Sequence, residues 1–210
     1  MTRLLLFPDI ETTGLNDDSA VLEIAWGITD EQFNLLMPTR SFIVEHGDRW
    51  DIVWSQLREN AFVRNMHYES GLLADLKAKA AYPMDEIATA LSHDLTYAVR
   101  QRSSYLDLGD DGVPVTLAGM SVEFDRQRLF ETSLGEQKDK DRLDLGWFFH
   151  HSLFNLSSLR IERELAGLEP LTVSNSRPHR AAYDVAEGIE RAKAHVQELR
   201  SLTDYQKRSS

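Results

Sequence analysis

Leu4-Leu5-Leu6-Phe7-Pro8-Asp9-Ile10-Glu11-Thr12-Thr13-Gly14-Leu15 passes from four apolar residues to two acids and then to a turn. The run 4–7 reads as a short strand buried on both faces. Side chains alternate along a strand, so Asp9 and Glu11 point the same way at its end. Acid-x-acid spacing alone decides little. Asp139/Asp141 and Glu162/Glu164 repeat it in stretches that read as solvated. Position sets the first pair apart: it follows a buried strand directly and precedes Gly14, where the missing Cβ lets the backbone turn tightly and approach a ligand. Paired carboxylates beside such a turn suit a hard cation such as Mg²⁺, which takes oxygen ligands.

Working outward, 14–19 reads as a turn rich in Gly, Asn and Asp, and 21–28 and 41–45 as strands. Ile87, Leu91, Leu95 and Val99 recur every four residues and predict a helix over 84–102. A loop over 107–114 leads to a strand at 115–118 and a helix over 124–130. Further helices are predicted over 156–166, ended by Gly167, and from near Pro178 to about Leu199, with the apolar stripe Ala182, Val185, Ile189, Ala192, Val196 and Leu199. Trp50 and Trp54, four apart, suit a helix face packed on the core. Strands first and helices around one more strand give a single α/β or α+β domain over 1–200, with 201–210 a flexible C-terminal tail.

Composition bounds the function. The 210 residues include 34 acidic and 23 basic ones, a formal charge of −11, and no cysteine. That excludes disulfides, thiolate zinc sites and a cysteine nucleophile. No run approaches the ~18 apolar residues of a membrane span, and the apolar run within Met1–Phe7 is too short for a signal peptide, so a cytoplasmic protein is expected. At −11 the chain repels phosphate backbones on average, and it carries no basic block for gripping long duplexes. Contact with nucleic acid must then be short or bridged by divalent cations.

Two more places offer chemistry. In Leu117-Ala118-Gly119-Met120-Ser121-Val122-Glu123-Phe124-Asp125 a buried strand leads to an acid at a helix start, where the helix dipole alone would explain it. In His179-Arg180-Ala181-Ala182-Tyr183-Asp184, five residues at ~100° each set the ends about 140° apart on a helix. Both can serve one site only if His179 precedes the helix and Asp184 lies in its first turns. The other histidines show no HExxH or comparable ligand spacing, which argues against zinc.

In this order the three segments resemble the DEDDh branch of the DnaQ-like 3′→5′ exonucleases, and within it oligoribonuclease. The matching residues are Asp9-x-Glu11-Thr-Thr-Gly-Leu, Gly119-x-Ser121-x-x-x-Asp125 and His179-x₄-Asp184, with His67-x-x-Ser70-Gly71-Leu72 resembling the subfamily's His-x-x-Ser-Gly-Leu. There are departures. Met120 stands for an asparagine, Phe124 for a glutamine, Phe62 for a tryptophan, and Lys140-Asp141-Arg142 for a tyrosine before Leu143-Asp144. Segments 45–60 and 131–141 have no counterpart.

The resemblance implies an RNase H-like mixed sheet flanked by helices. It implies that Asp9, Glu11, Asp125 and Asp184 hold two divalent ions, Mg²⁺ or Mn²⁺, and that His179 is the general base, a task suited to imidazole near neutral pH. Thr12, Gly14, Leu15, Phe62, His67, Ser121 and Arg180 would meet the substrate, Leu15 wedging against the terminal base, Phe62 stacking on its neighbour and Arg180 neutralising a phosphate. The substrate would be short single-stranded RNA or DNA with a free 3′ end, and a homodimer is allowed. The alternatives are a proofreading-type DNA exonuclease working with a polymerase, and a catalytically inert nucleic-acid-binding module on the same fold. A purely structural acidic domain would make the motif coincidence chance.

Overall fold

The computed structural model describes residues 3–102, 115–129 and 152–209; the loop expected at 107–114 and the segment 131–141 lie outside them. Six strands form one mixed sheet: β1 (Leu4–Thr12), β2 (Val21–Thr29), β3 (Arg40–Val44), β4 (Ala81–Tyr82), β5 (Val115–Gly119) and β6 (Phe154–Asn155), in the order β4-β3-β2-β1-β5-β6. β2 is antiparallel to β1 and β3, whereas β5 runs parallel to β1 and pairs Leu4–Leu6 with Val115–Leu117. The predicted strands are all present. β1 runs five residues beyond the expected end, because Pro8 lies past the last β1–β5 pairing and its missing N–H interrupts no bond there.

Alternation along β1 divides the core. Leu4, Leu6 and Ile10 join Ile24, Trp26 and Ile28 against Ile87, Leu91, Leu95 and Val99 of α4 (Met84–Arg102). Leu5 and Phe7 join Ala25 against the other layer, α6 (Leu156–Leu165) and α7 (Ala181–Ser209). α7 passes so close to β2 that a Cβ on Gly27 would meet Val185 and Ile189 at 3.1 Å. The helix continues through residues 201–209, the segment expected as a tail. Three further helices, α1 (Trp50–Glu59), α2 (Ala61–Glu69) and α3 (Leu72–Ala78), build a third cluster around Leu22, Val53, Leu57 and Leu72. Trp50 and Trp54 stack at its rim, 6.2 Å apart and half-buried, while the inner face of α1 is Val53 and Leu57. α5 (Val122–Arg126) begins two residues earlier than predicted, with Asp125 buried upon it. None of the described helices is long and apolar enough to cross a membrane.

Candidate active site

Asp9 and Glu11 share the parity of Leu5 and Phe7, so they fall on the face that α7 covers. Glu23 of β2 lies directly opposite Glu11 and faces the same way. β5 runs parallel to β1, so its C-terminal end, Gly119, and α5 beyond it arrive at the same edge of the sheet, bringing Asp125. α7 arrives from the far end of the chain with His179 just before it and Asp184 in its first turn. One ligand atom from each of Glu11, His179 and Asp184 lies within 4.8 Å of the others. Asp9 sits among Asp125, Glu11, Asp184 and Glu23, all close enough to repel its charge. The five residues picked from sequence therefore meet in one place.

Crowded, desolvated carboxylates resist ionisation. Burial, then the charge of Asp125, pushes the Asp9 carboxyl well above the ordinary range. Burial, then the charge of Asp184, raises Glu11 from 4.5 to about 8. Burial raises Asp125 from 3.8 to about 8, against a hydrogen bond from the Ile10 N–H. Asp184 is also raised by burial, although Asn175 and the His179 N–H hydrogen-bond to it. A cluster of oxygen donors short of positive charge, with one imidazole beside it, matches in chemistry what divalent cations take.

The start of α7 is set by contacts that were not anticipated. Its first i→i−4 bond runs from the Asp184 N–H to the Arg180 carbonyl, so the helix begins at Ala181 rather than near Pro178. His179 stands outside it, as the spacing argument required, with φ of +63°, a left-handed conformation that costs a side-chain-bearing residue energy. The Asp184 carboxylate accepts from the His179 N–H at 3.0 Å and from Asn175 Nδ2 at 2.5 Å. Glu23, only 2% exposed, takes both guanidinium bonds of Arg180 at 3.1 Å, the Ala181 N–H at 3.1 Å and the Ser41 hydroxyl at 2.8 Å. Arg180 also pairs with Asp75 at 2.7 Å. Glu23, Asp75 and Asn175 were missed. Glu23 carried a signal, an acid inside the apolar run Val21-Leu22-Glu23-Ile24-Ala25-Trp26, where a charge survives only if paired.

The expected substrate contacts divide. Leu15 and Phe62 project into solvent at 82% and 79% exposure, and Ser121 is exposed before α5. His67 is fully buried: one ring nitrogen bonds the Thr12 carbonyl at 2.8 Å and the other lies 3.8 Å from Glu11. Through the Thr12 carbonyl it supports the end of β1. Arg180, expected to meet a phosphate, has its guanidinium committed to two carboxylates. The Thr12 hydroxyl donates to the Gly14 carbonyl at 2.6 Å, inside the turn. Gly14 itself does not use the left-handed freedom of glycine. A Cβ there would lie 3.0 Å from Ser19 Oγ, so a side chain would need the serine to give way.

A mixed sheet with the carboxylates at the ends of β1 and β5 and a helix packed across it is an RNase H-like fold. Solved structures similar to it include several of exonuclease I. The zinc-bound E. coli enzyme with single-stranded DNA has a TM-score of 0.57 at 16% identity, over 97% of this chain and 42% of that one. The complex of the same enzyme with a dA16 oligonucleotide gives 0.56 at 16%, over 97% and 42%. The moderately thermophilic exonuclease I of Methylocaldum szegediense gives 0.54 at 14%, over 90% and 39%. The chain thus spans about two fifths of the length of these proteins, and at such identities the likeness concerns the fold. Neither a protein-family model nor a curated protein matches the sequence.

Proposed function

We propose that the chain is a metal-dependent 3′→5′ exonuclease acting on short single-stranded nucleic acid, its catalytic unit spanning residues 1–200. The reading rests on one observation above the rest: Asp9, Glu11, Asp125, Asp184 and His179, drawn from three distant segments, share one edge of the sheet. Asp9, Glu11, Asp125 and Asp184 would hold the divalent ions. Ions bound there would supply positive charge beside a scissile phosphate and lower the pKa of a water so that it can give up its proton near neutral pH. His179, exposed and outside the helix, takes the proton of that water. The water oxygen bonds to phosphorus, the bond from phosphorus to the 3′ oxygen of the preceding nucleoside breaks, and that oxygen takes up a proton. Leu15 and Phe62 offer apolar faces for the last bases, which stack without regard to sequence. The single-stranded DNA bound to the exonuclease I structures supports a single-stranded substrate, and the charge of −11 favours a short one.

The test is a product ladder from 5′-labelled RNA and DNA, each as a dinucleotide and a twenty-mer, in Mn²⁺ with and without EDTA. EDTA-sensitive shortening from the 3′ end is expected, and the fastest substrate fixes sugar and length preference. No cleavage of any substrate while Mn²⁺ still binds would overturn the proposal in favour of an inert binding module.

A further inference from the structure

The turn carrying Leu15 hands its backbone carbonyls to side chains from two other parts of the chain. Arg128, only 4% exposed, donates to the carbonyls of Leu15 at 3.4 Å, Asp17 at 2.8 Å, Ser19 at 3.5 Å and also Asn16. Its guanidinium lies over the Phe124 ring, 5.2 Å from the centroid. From the opposite side Gln56 of α1 donates to the Asp18 carbonyl at 2.8 Å and accepts from the Thr13 hydroxyl at 2.6 Å and the Ala20 N–H at 3.2 Å. The Gly14 carbonyl is taken by Thr12 and that of Ala20 by the Thr13 N–H. Every carbonyl from 14 to 20 thus has a donor, although no regular structure supplies one. A surface turn ordinarily leaves several to water.

Building on the proposed exonuclease activity, we propose that Arg128 is a positioning residue that locks the 14–19 turn, so that Leu15 stands as a fixed apolar wedge against the terminal nucleobase. Arg128 follows Asp125 by three residues. One short segment therefore carries both a site carboxylate and the grip on the recognition turn, and it ties the depth of the base to the position of the phosphate. Only a planar fork of five N–H donors can reach several neighbouring carbonyls from one side chain. A lysine ammonium has the charge but not the spread. The locked turn binds without ordering itself first, so the effect belongs to substrate affinity rather than to the chemical step.

The experiment compares Arg128→Met and Arg128→Lys with Leu15→Ala and the double variant Leu15→Ala/Arg128→Met in the full chain. Oligonucleotide KM and kcat, Mn²⁺ affinity by calorimetry, and amide hydrogen exchange over residues 14–20 are measured for each. Both Arg128 variants should raise KM on the order of tenfold, leave kcat within about twofold, leave Mn²⁺ affinity unchanged and speed exchange in the turn. The double variant should be no worse than Leu15→Ala alone, because both changes act through one contact. Multiplying effects, a fall in kcat or Mn²⁺ affinity with KM unchanged, full rescue by lysine, or unaltered exchange would each overturn the proposal. If Arg128→Met does not fold, Gln56→Ala reads the same lock from the other side, with the same expected KM rise and faster exchange. If the parent cleaves nothing, the activity reading fails, while exchange in the turn still judges the clamp.

Discussion

Replacing Glu11 with glutamine removes one carboxyl from a site that has too many, and the metal-free protein should gain stability from it. Glu11 is raised from 4.5 to about 8 by burial and by the charges of Asp184, Glu23 and Asp125. At about 1.4 kcal/mol per pH unit, ionising it in the folded chain costs on the order of 5 kcal/mol, an upper bound since local relaxation and water lower it. The sign follows from proton binding. Between pH 4.5 and about 8 the folded protein holds a proton that the unfolded chain has released, so raising pH favours unfolding. The stabilisation is complete below about pH 4.5 and is lost as pH rises through about 8. Asp125, raised from 3.8 to about 8, adds a second loss in nearly the same window. Urea unfolding in EDTA at pH 5, 6.5 and 8 should give falling stability for the parent and a shallower fall for Glu11→Gln. The variant should match the parent at pH 5 and exceed it at pH 8. Saturating Mn²⁺ should reverse the parent's slope, because the ions replace those protons. Metal-free stability that is flat or rises from pH 5 to 8, or a variant no more stable at pH 8, would refute the reasoning.

Asp9→Ala should abolish hydrolysis with the far-ultraviolet circular dichroism unchanged, and near-normal turnover would show that the carboxylate is not needed. His179→Ala should lower kcat by ~10²–10⁴ while Mn²⁺ affinity by calorimetry is mostly kept; a lost metal site would make the imidazole a ligand instead of a base. Asn175→Ala, which frees Asp184, should weaken Mn²⁺ binding roughly 10- to 100-fold with little change in thermal stability.

The parts of this fold legible in the sequence are those where one local rule acts alone. The spacing of Ile87, Leu91, Leu95 and Val99 gave α4, and all four are buried. Alternation placed Asp9 and Glu11 on one face, and the angular argument set His179 outside α7. The four-residue spacing of Trp50 and Trp54 pointed to the helix that is α1, and Val53 and Leu57 complete its i, i+3, i+4, i+7 face, whereas α2 and α3 were not expected. The surroundings of His67 and Arg180 were illegible for a different reason. A motif fixes their neighbourhood, but whether a side chain faces solvent or a buried carboxylate depends on elements far away in sequence. Arg180 turns inward because Glu23, 157 residues earlier, waits there with Asp75 beside it. Arg128 was invisible for the same reason: carbonyls 109 to 113 residues away leave no trace in composition or spacing.

Glu11 and Glu23 face each other across β1 and β2, the same residue type in the same buried layer, yet their substitutions should have opposite signs. Among the described residues, no donor of comparable strength reaches the Glu11 carboxylate, and His67 Nδ1 lies 3.8 Å away. Glu23 has four, two from Arg180, one from the Ala181 N–H and one from Ser41, so its charge is compensated and its position fixed. Glu23→Gln removes half of a buried pair and leaves Arg180 with Asp75 alone. Losing one partner of such a pair costs roughly 3–5 kcal/mol. The same change leaves one oxygen for four donors, so the new NH₂ group faces either the Ala181 N–H at the start of α7 or the Arg180 and Ser41 donors, which loosens the seat of the helix that carries His179 and Asp184. Urea unfolding should therefore show Glu23→Gln destabilised at pH 5 and pH 8 alike, with Mn²⁺ unable to restore the loss. Equal or greater stability in that variant would mean that α7 is seated by its apolar stripe alone, and that the pair with Arg180 only neutralises a charge.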